Sequence, residues 1–173
     1  MSVSSHLTPD PERRLRLIHE GIISSLRWAD VKLWCAAFLA AVQAAVLSAA
    51  PDTGLRLWGL LLLGAAALPA LLGVSPLADG PGAPPADTGP RKPLSPLSLL
   101  DEADIAVHSQ AEMSGFLDRY LGGGITATPY YEDLVGQIVI SARVTVRKRR
   151  LFGAACALIA AAQLLLLAAL ALR

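Results

Sequence analysis

Few side chains in this 173-residue sequence can do chemistry, and their spacing decides which kind. His6, His19 and His108 stand far apart, and neither Cys35 nor Cys156 has a histidine or carboxylate at metal-ligand spacing. No nucleophile is matched with a base, so the sequence predicts a non-enzyme that carries no cofactor and no metal. Asp101, Glu102 and Asp104 form an acidic group, which reads as the solvated start of a helix. A glycine run such as Gly122-Gly123-Gly124 can make an anion nest, but the Lys and Ser/Thr of a P-loop are missing, and its commoner role is to end a helix. What remains is charge, aromatic stacking and amides in apolar surroundings. Arg143, Arg147, Lys148, Arg149 and Arg150 make a basic stretch that opens on Tyr130 and Tyr131. Asp30 and Lys32 sit where an apolar run begins, and Gln43 and Gln163 interrupt two such runs.

The apolar runs define the elements that must hold these groups. With 54% apolar and 17% charged residues, the chain is too hydrophobic for an ordinary soluble domain. The excess is concentrated at 31–50, 55–74 and 151–172. At about 1.5 Å per residue, each run covers a hydrocarbon core of about 30 Å. The predicted fold is therefore all-α: an integral membrane protein with three transmembrane helices, an N-terminal hairpin plus a C-terminal span, and a helical cytosolic segment. Its parts are an N-terminal amphipathic helix at 1–30, a hairpin at 31–74, a linker at 75–98, helical segments at 99–150 and the last span at 151–173. Ser48-Ala49-Ala50 resembles a signal-peptide cleavage site, but the region before it is too long and contains Asp30, so an uncleaved span is expected.

Within the first part, Leu15, Ile18, Ile22, Leu26 and Ala29 recur at helical spacing behind Pro11, and Gly21 is a candidate bend. The four-residue turn Pro51-Asp52-Thr53-Gly54 forces the first two spans to be antiparallel neighbours. Gly59, Gly64 and Ala65-Ala66-Ala67 offer a small-residue face for close helix approach, and Pro69 should kink the second span. The stretch at 75–98 is dense in Pro and Gly and has too few large apolar residues to order itself, so a mobile loop is expected. Met113, Phe116, Leu117, Tyr120 and Leu121 give a helical stripe between Leu99 and Leu121. A final helix starts near Pro129, and Tyr131, Leu134, Val135, Ile138, Ala142 and Thr145 line one face of it before the basic stretch.

Charge sets the expected orientation. Arg13, Arg14, Arg16, Arg27 and Lys32 flank the start of the first span, and the basic stretch precedes the third. The opposite side has only Arg56 and Arg173. The N-terminus and the middle of the chain are thus expected in the cytosol and the C-terminus outside. A net charge of +1, with the cations gathered at membrane borders, points to a lipid bilayer as partner and away from a nucleic acid polymer. Gln43 lies twelve residues beyond Val31, and Gln163 twelve beyond Leu151. Both amides are then roughly 18 Å into parallel helices. They can pair within one chain, pair between protomers, or bond locally to backbone or serine. Asp30, at the membrane border, has Lys32, Arg147 and Lys148 as candidate cations.

Three motifs carry a resemblance. Trp28-Ala29-Asp30-Val31-Lys32 is similar to an ADxKA sequence at the start of a first span, with Leu33 in place of the usual alanine. Tyr130-Tyr131-Glu132-Asp133-Leu134-Val135-Gly136-Gln137-Ile138 resembles a pre-membrane segment ending in Gln-Ile. Arg147-Lys148-Arg149-Arg150-Leu151-Phe152-Gly153-Ala154 is similar to a charged approach to a last span. Together with the order hairpin, cytosolic segment, long helix and span, they resemble the transmembrane effectors of Pycsar, the bacterial anti-phage system that signals with cyclic pyrimidine nucleotides. Ala103 and Ile105 depart from that pattern, standing where the family has an aromatic-Gly turn. The resemblance implies an oligomeric inner-membrane protein that a cyclic nucleotide, cyclic UMP or cyclic CMP, activates to impair the membrane and arrest the infected cell. On that implication residues 99–150 are the sensing segment, with Tyr130 or Tyr131 stacking the base and Arg143, Arg147 and Lys148 meeting the phosphate. Asp30, Lys32, Gln43, Gln137 and Gln163 then act in packing or gating. The basic residues also fit a plainer role in setting topology and meeting anionic lipid. Two other readings fit the composition: an effector of another nucleotide-linked defence system, or an accessory membrane protein such as a plasmid transfer component.

Overall fold

The computed structural model describes residues 11–48, 54–75, 99, 101–121 and 129–171, and among these no strand is present. In chain order the helices are α1 (Pro11–Ser48), α2 (Gly54–Val74), α3 (Glu102–Val107), α4 (Gln110–Leu121) and α5 (Pro129–Ala171). The expected turn at 51–53, the linker from residue 76 and the glycine run at 122–124 lie outside the described residues. Three helices, α1, α2 and α5, are long and apolar enough to cross a membrane. The all-α, three-span architecture predicted from the sequence is the architecture found.

The amphipathic helix and first span expected separately form one helix of 38 residues, because nothing after Pro11 removes a backbone donor. α5 likewise runs 43 residues, from the polar YYEDL segment into the last apolar run. At 1.5 Å per residue these helices are roughly 57 and 65 Å long, about twice the hydrocarbon thickness. Residue contacts divide the chain into two compact units, one of residues 1–27 and 81–146 and the other of 28–80 and 147–173. Both α1 and α5 therefore contribute to each unit.

The first unit is cored by large aliphatic side chains. Leu15 and Ile22 from α1, Ile105 and Ala106 from α3, Met113 and Leu117 from α4, and Leu134, Val135, Ile138 and Ala142 from α5 bury one another, joined by Leu99. Their three- and four-residue spacing puts each set on one helix face. The stripe between Leu99 and Leu121 is not one helix. It breaks at His108, whose backbone is extended, and restarts at Gln110. The cause is local. Ser109 N–H donates to Glu112 Oε2 at 2.8 Å while Glu112 N–H donates to Ser109 Oγ at 3.2 Å, a reciprocal capping box that starts α4. Asp101 caps α3 by accepting from Ala103 N–H at 2.9 Å, which gives the acidic group its role.

The second unit is cored by small residues. Ala36, Ala40, Ala66, Ala70, Ala155 and Ala162 are buried with Leu33, Leu47, Leu63 and Ile159. A Cβ added at Gly59 would stand 2.7 Å from Leu47 Cδ2, and one added at Gly73 would stand 2.7 Å from Leu33 Cδ1. Early α2 thus meets the end of α1 and late α2 meets the start of its apolar part at Leu33, so the two helices are antiparallel. Leu151 closes on the same spot, 3.4 Å from the Cβ position at Gly73. The close approach expected of Gly64 does not occur: nothing lies within 4 Å of its Cβ position, and Gly73 does that work instead. Pro69 is accommodated inside α2. Phe38, Val46, Leu57, Leu68, Leu164 and Leu167 are all exposed. Apolar side chains presented outward in such number fit lipid as the surrounding medium.

Candidate functional site

The side chains singled out by chemistry gather on α5 and on what touches it. In the second unit, Lys148 Nζ donates to Asp30 Oδ1 at 2.8 Å. Of the three candidate cations, Lys148 is the one that meets Asp30. Lys148 is 3% exposed and Asp30 37%, so the ammonium is buried while the carboxylate keeps access to solvent. A buried ammonium is tolerated only if paired, and the carboxylate offsets its desolvation. Trp28 and Trp34, flanking Asp30 on α1, are exposed, as suits indoles at a headgroup level.

In the first unit, Arg143 is half-buried. Its Nε donates to the Ala106 carbonyl at 3.1 Å and its Nη2 to the His108 carbonyl at 3.0 Å. These oxygens belong to the end of α3, where a helix leaves carbonyls without partners of its own, so Arg143 ties that end to α5. His108 is buried, and its Nδ1 lies 2.7 Å from the Asp104 carbonyl. A carbonyl only accepts, so this contact requires a proton on Nδ1. A second tie lies two to three turns earlier on α5. Gln110 Nε2 donates to the Glu132 carbonyl at 2.9 Å, and the Gln110 amide lies 3.2 Å from where a Gly136 Cβ would be. Gly136 leaves room for that amide to rest on the helix backbone.

Tyr130 and Tyr131 pack edge to face, with ring centroids 5.6 Å apart. Tyr130 is exposed and Tyr131 half-buried against the first unit's core. Twelve or more residues of α5 separate them from Arg143, roughly 18–20 Å of helix. The aromatic and cationic halves of the expected ligand site are therefore not brought together on this helix. Lys32, Gln137 and Arg147 are exposed, and Arg147 has a polar partner of its own. Gln43 and Gln163 line one cavity with Val42, Val46, Leu47, Leu63, Ala162 and Leu166. The equal depths counted along the sequence do bring the two amides to one place.

Pattern reading missed Ser109, Gln110 and Glu112. The Ser-x-x-Glu spacing at 109–112 was a legible signal for the cap. Nothing in the sequence flags Gln110, whose partner is 22 residues away.

A family model described as the Pycsar effector protein domain matches residues 18–173. The chain belongs to this family. No curated protein and no solved structure matches it. In this Pycsar effector the motifs quoted above acquire physical partners. The WADVK and RKRR segments are joined by the Asp30–Lys148 ion pair, and the residues that follow each, Leu33 and Leu151, close on Gly73. The YYEDLVGQI segment supplies the Glu132 carbonyl and the Gly136 gap that receive Gln110. The protein is a multi-pass membrane effector of an anti-phage system, from a family that is not an enzyme class. The arrangement holds an ammonium, a guanidinium and an amide by charge and hydrogen bonds.

Proposed function

We propose that this Pycsar effector responds to a cyclic pyrimidine nucleotide, cyclic UMP or cyclic CMP, by impairing the bacterial inner membrane and so arresting the infected cell. The observation that carries the reading is the family match over residues 18–173, which takes in α2 to α5 and most of α1. The N-terminus and residues 99–150 face the cytosol, where such a nucleotide is made, and the C-terminus lies outside, following the distribution of Lys and Arg.

Arg143 gives activation a physical form. Its guanidinium is held by two neutral carbonyls. A cyclic phosphodiester carries a full negative charge, so it adds ion–ion attraction and bidentate geometry that a neutral carbonyl cannot offer the guanidinium. The phosphate therefore draws Arg143 away from the end of α3 and loosens that helix from α5. Tyr130 or Tyr131, too far along α5 to touch the same nucleotide, stacks a base only after the segment rearranges. Asp30 on α1 and Lys148, on the same α5 five residues beyond Arg143, form a latch that keeps the resting arrangement of the membrane helices. Arg147 and Lys32 serve mainly to set orientation and to meet anionic lipid. Nucleotide binds one arrangement better than the other and shifts the population toward a membrane-impairing assembly of several copies.

The test is dye release from vesicles containing the purified effector. Cyclic UMP or cyclic CMP should trigger release, cyclic AMP should not, and Arg143→Gln should abolish the response. Release by an unrelated nucleotide would move the protein to another nucleotide-linked defence system. No release with any nucleotide, together with harmless overexpression, would make it an accessory membrane protein.

A further inference from the structure

The Gln43–Gln163 cavity lies wholly within the second unit, between the apolar part of α1 and that of α5, with α2 behind it. Its volume is about 160 Å³. Leu47, Leu63 and Ala162 form a buried floor, whereas Val42, Val46, Leu166 and Gln163 on the rim are exposed and Gln43 is half-buried. Among the described residues neither glutamine amide is hydrogen-bonded. At roughly 18 Å from the start of each span, both are too deep to reach a headgroup, and lipid tails neither donate nor accept.

We propose that a second copy of this chain docks on this groove, its own Gln43 and Gln163 completing an amide layer across the interface. A carboxamide both donates and accepts, so the face is complementary to itself. Depth makes the match geometric as well. Copies inserted in one orientation are related by an axis normal to the membrane, and rotation about that axis preserves depth. Because Gln43 and Gln163 stand level within one chain, they stay level between chains, in a dimer or around a ring. An acyl chain could fill the groove but would leave every amide unpaired. The proposal deepens the assembly part of the functional reading and concerns the resting protein, so its test needs no nucleotide.

The experiment places a photo-crosslinking phenylalanine derivative at Val46, on the groove rim, in the full-length effector in native-like membranes. Illumination should give a product of twice the monomer mass. The same probe at Leu57, exposed on α2 but not lining the groove, serves as reference and should give at least ten-fold less. Adding Gln43→Leu and Gln163→Leu should lower the Val46 dimer product at least five-fold while membrane insertion and helix content stay unchanged. Crosslinking of Val46 to lipid alone would overturn the proposal. So would a dimer product that is indifferent to the two glutamines. If the double replacement prevents insertion, Gln163→Asn serves instead: the amide is kept but shortened, and an intermediate loss of product is expected, whereas no change overturns the idea. Intact crosslinking without nucleotide-triggered dye release would instead count against the functional reading alone.

Discussion

The first unit buries Ile105, Met113, Val135 and Ile138, whereas the second buries Ala36, Ala40, Ala66, Ala70, Ala155 and Ala162 beside four larger side chains and turns many of its leucines outward. Water around the first unit and lipid around the second would produce this contrast. Where water surrounds the helices, every buried methylene contributes, at roughly 25 cal/mol per Å² of apolar surface removed from water. Where lipid surrounds them, a leucine gains little by moving inward, and helices associate through close backbone approach and polar contacts. The polar ties differ in the same sense. The first unit uses Arg143 and Gln110 on backbone carbonyls, and the second uses the Asp30–Lys148 ion pair.

The largest effects should come from reversing the two packing rules. Ile138→Ala removes a fully buried side chain from the first unit and should cost about 2–5 kcal/mol, measured by unfolding in mixed micelles. Leu164→Ala, a comparable deletion on the outer surface of the second unit, should stay within about 0.5 kcal/mol. Gly73→Val should cost about 1–3 kcal/mol, because Leu33 is fully buried and cannot retreat from the new side chain. Equal effects at Ile138 and Leu164 would erase the distinction between the units.

The ion pair comes next. Asp30→Asn removes the carboxylate that stands 2.8 Å from the buried Lys148 ammonium. Breaking a fully buried pair costs about 3–5 kcal/mol, and the partial exposure of Asp30 reduces this to about 2 kcal/mol. If the pair is a latch, the same variant leaks dye without nucleotide and slows growth when expressed alone. A double exchange, Asp30→Lys with Lys148→Asp, should recover part of the lost stability. Wild-type leakage from Asp30→Asn would reduce the pair to a structural contact.

These side chains also mark how far the sequence could be read. The three spans, the start of α5 at Pro129, and the buried face from Leu134 to Thr145 follow from hydrophobic period and run length, which local sequence encodes directly. The common depth of Gln43 and Gln163 was legible because helix rise is constant. Which cation meets Asp30, and that Arg143 and Gln110 spend themselves on carbonyls of distant residues, were not. Those choices depend on the rotation of one helix against another. Gly64 and Gly73 illustrate the limit: both are small residues in α2, and only packing decides which one admits a neighbour.

Arg143→Lys sharpens the comparison from the side of the first unit. One ammonium cannot span the Ala106 and His108 carbonyls in the fork geometry that a guanidinium provides. The loss should be about 1–2 kcal/mol. Amide hydrogen exchange should report it as faster exchange in α3 with little change in the apolar part of α5. Uniform acceleration along α5 would mean that Arg143 supports the whole helix rather than the end of α3.

The smallest expected effect tests why the stripe from Leu99 to Leu121 breaks where it does. If the capping box fixes the break, Ser109→Ala removes the acceptor of the Glu112 N–H and should cost about 1 kcal/mol. Ser109→Asp keeps an N-cap acceptor but sets a second carboxylate beside Glu112, so it should recover only part of the loss. Exchange at Ala111, Glu112 and Met113 should rise several-fold in Ser109→Ala, while α3, capped by Asp101, stays protected. A break imposed instead by burial of His108 and Met113 on either side of it would leave those rates unchanged in Ser109→Ala. The unit facing water would then owe its helix boundary to core packing alone, as the lipid-facing unit owes its register to Gly59 and Gly73.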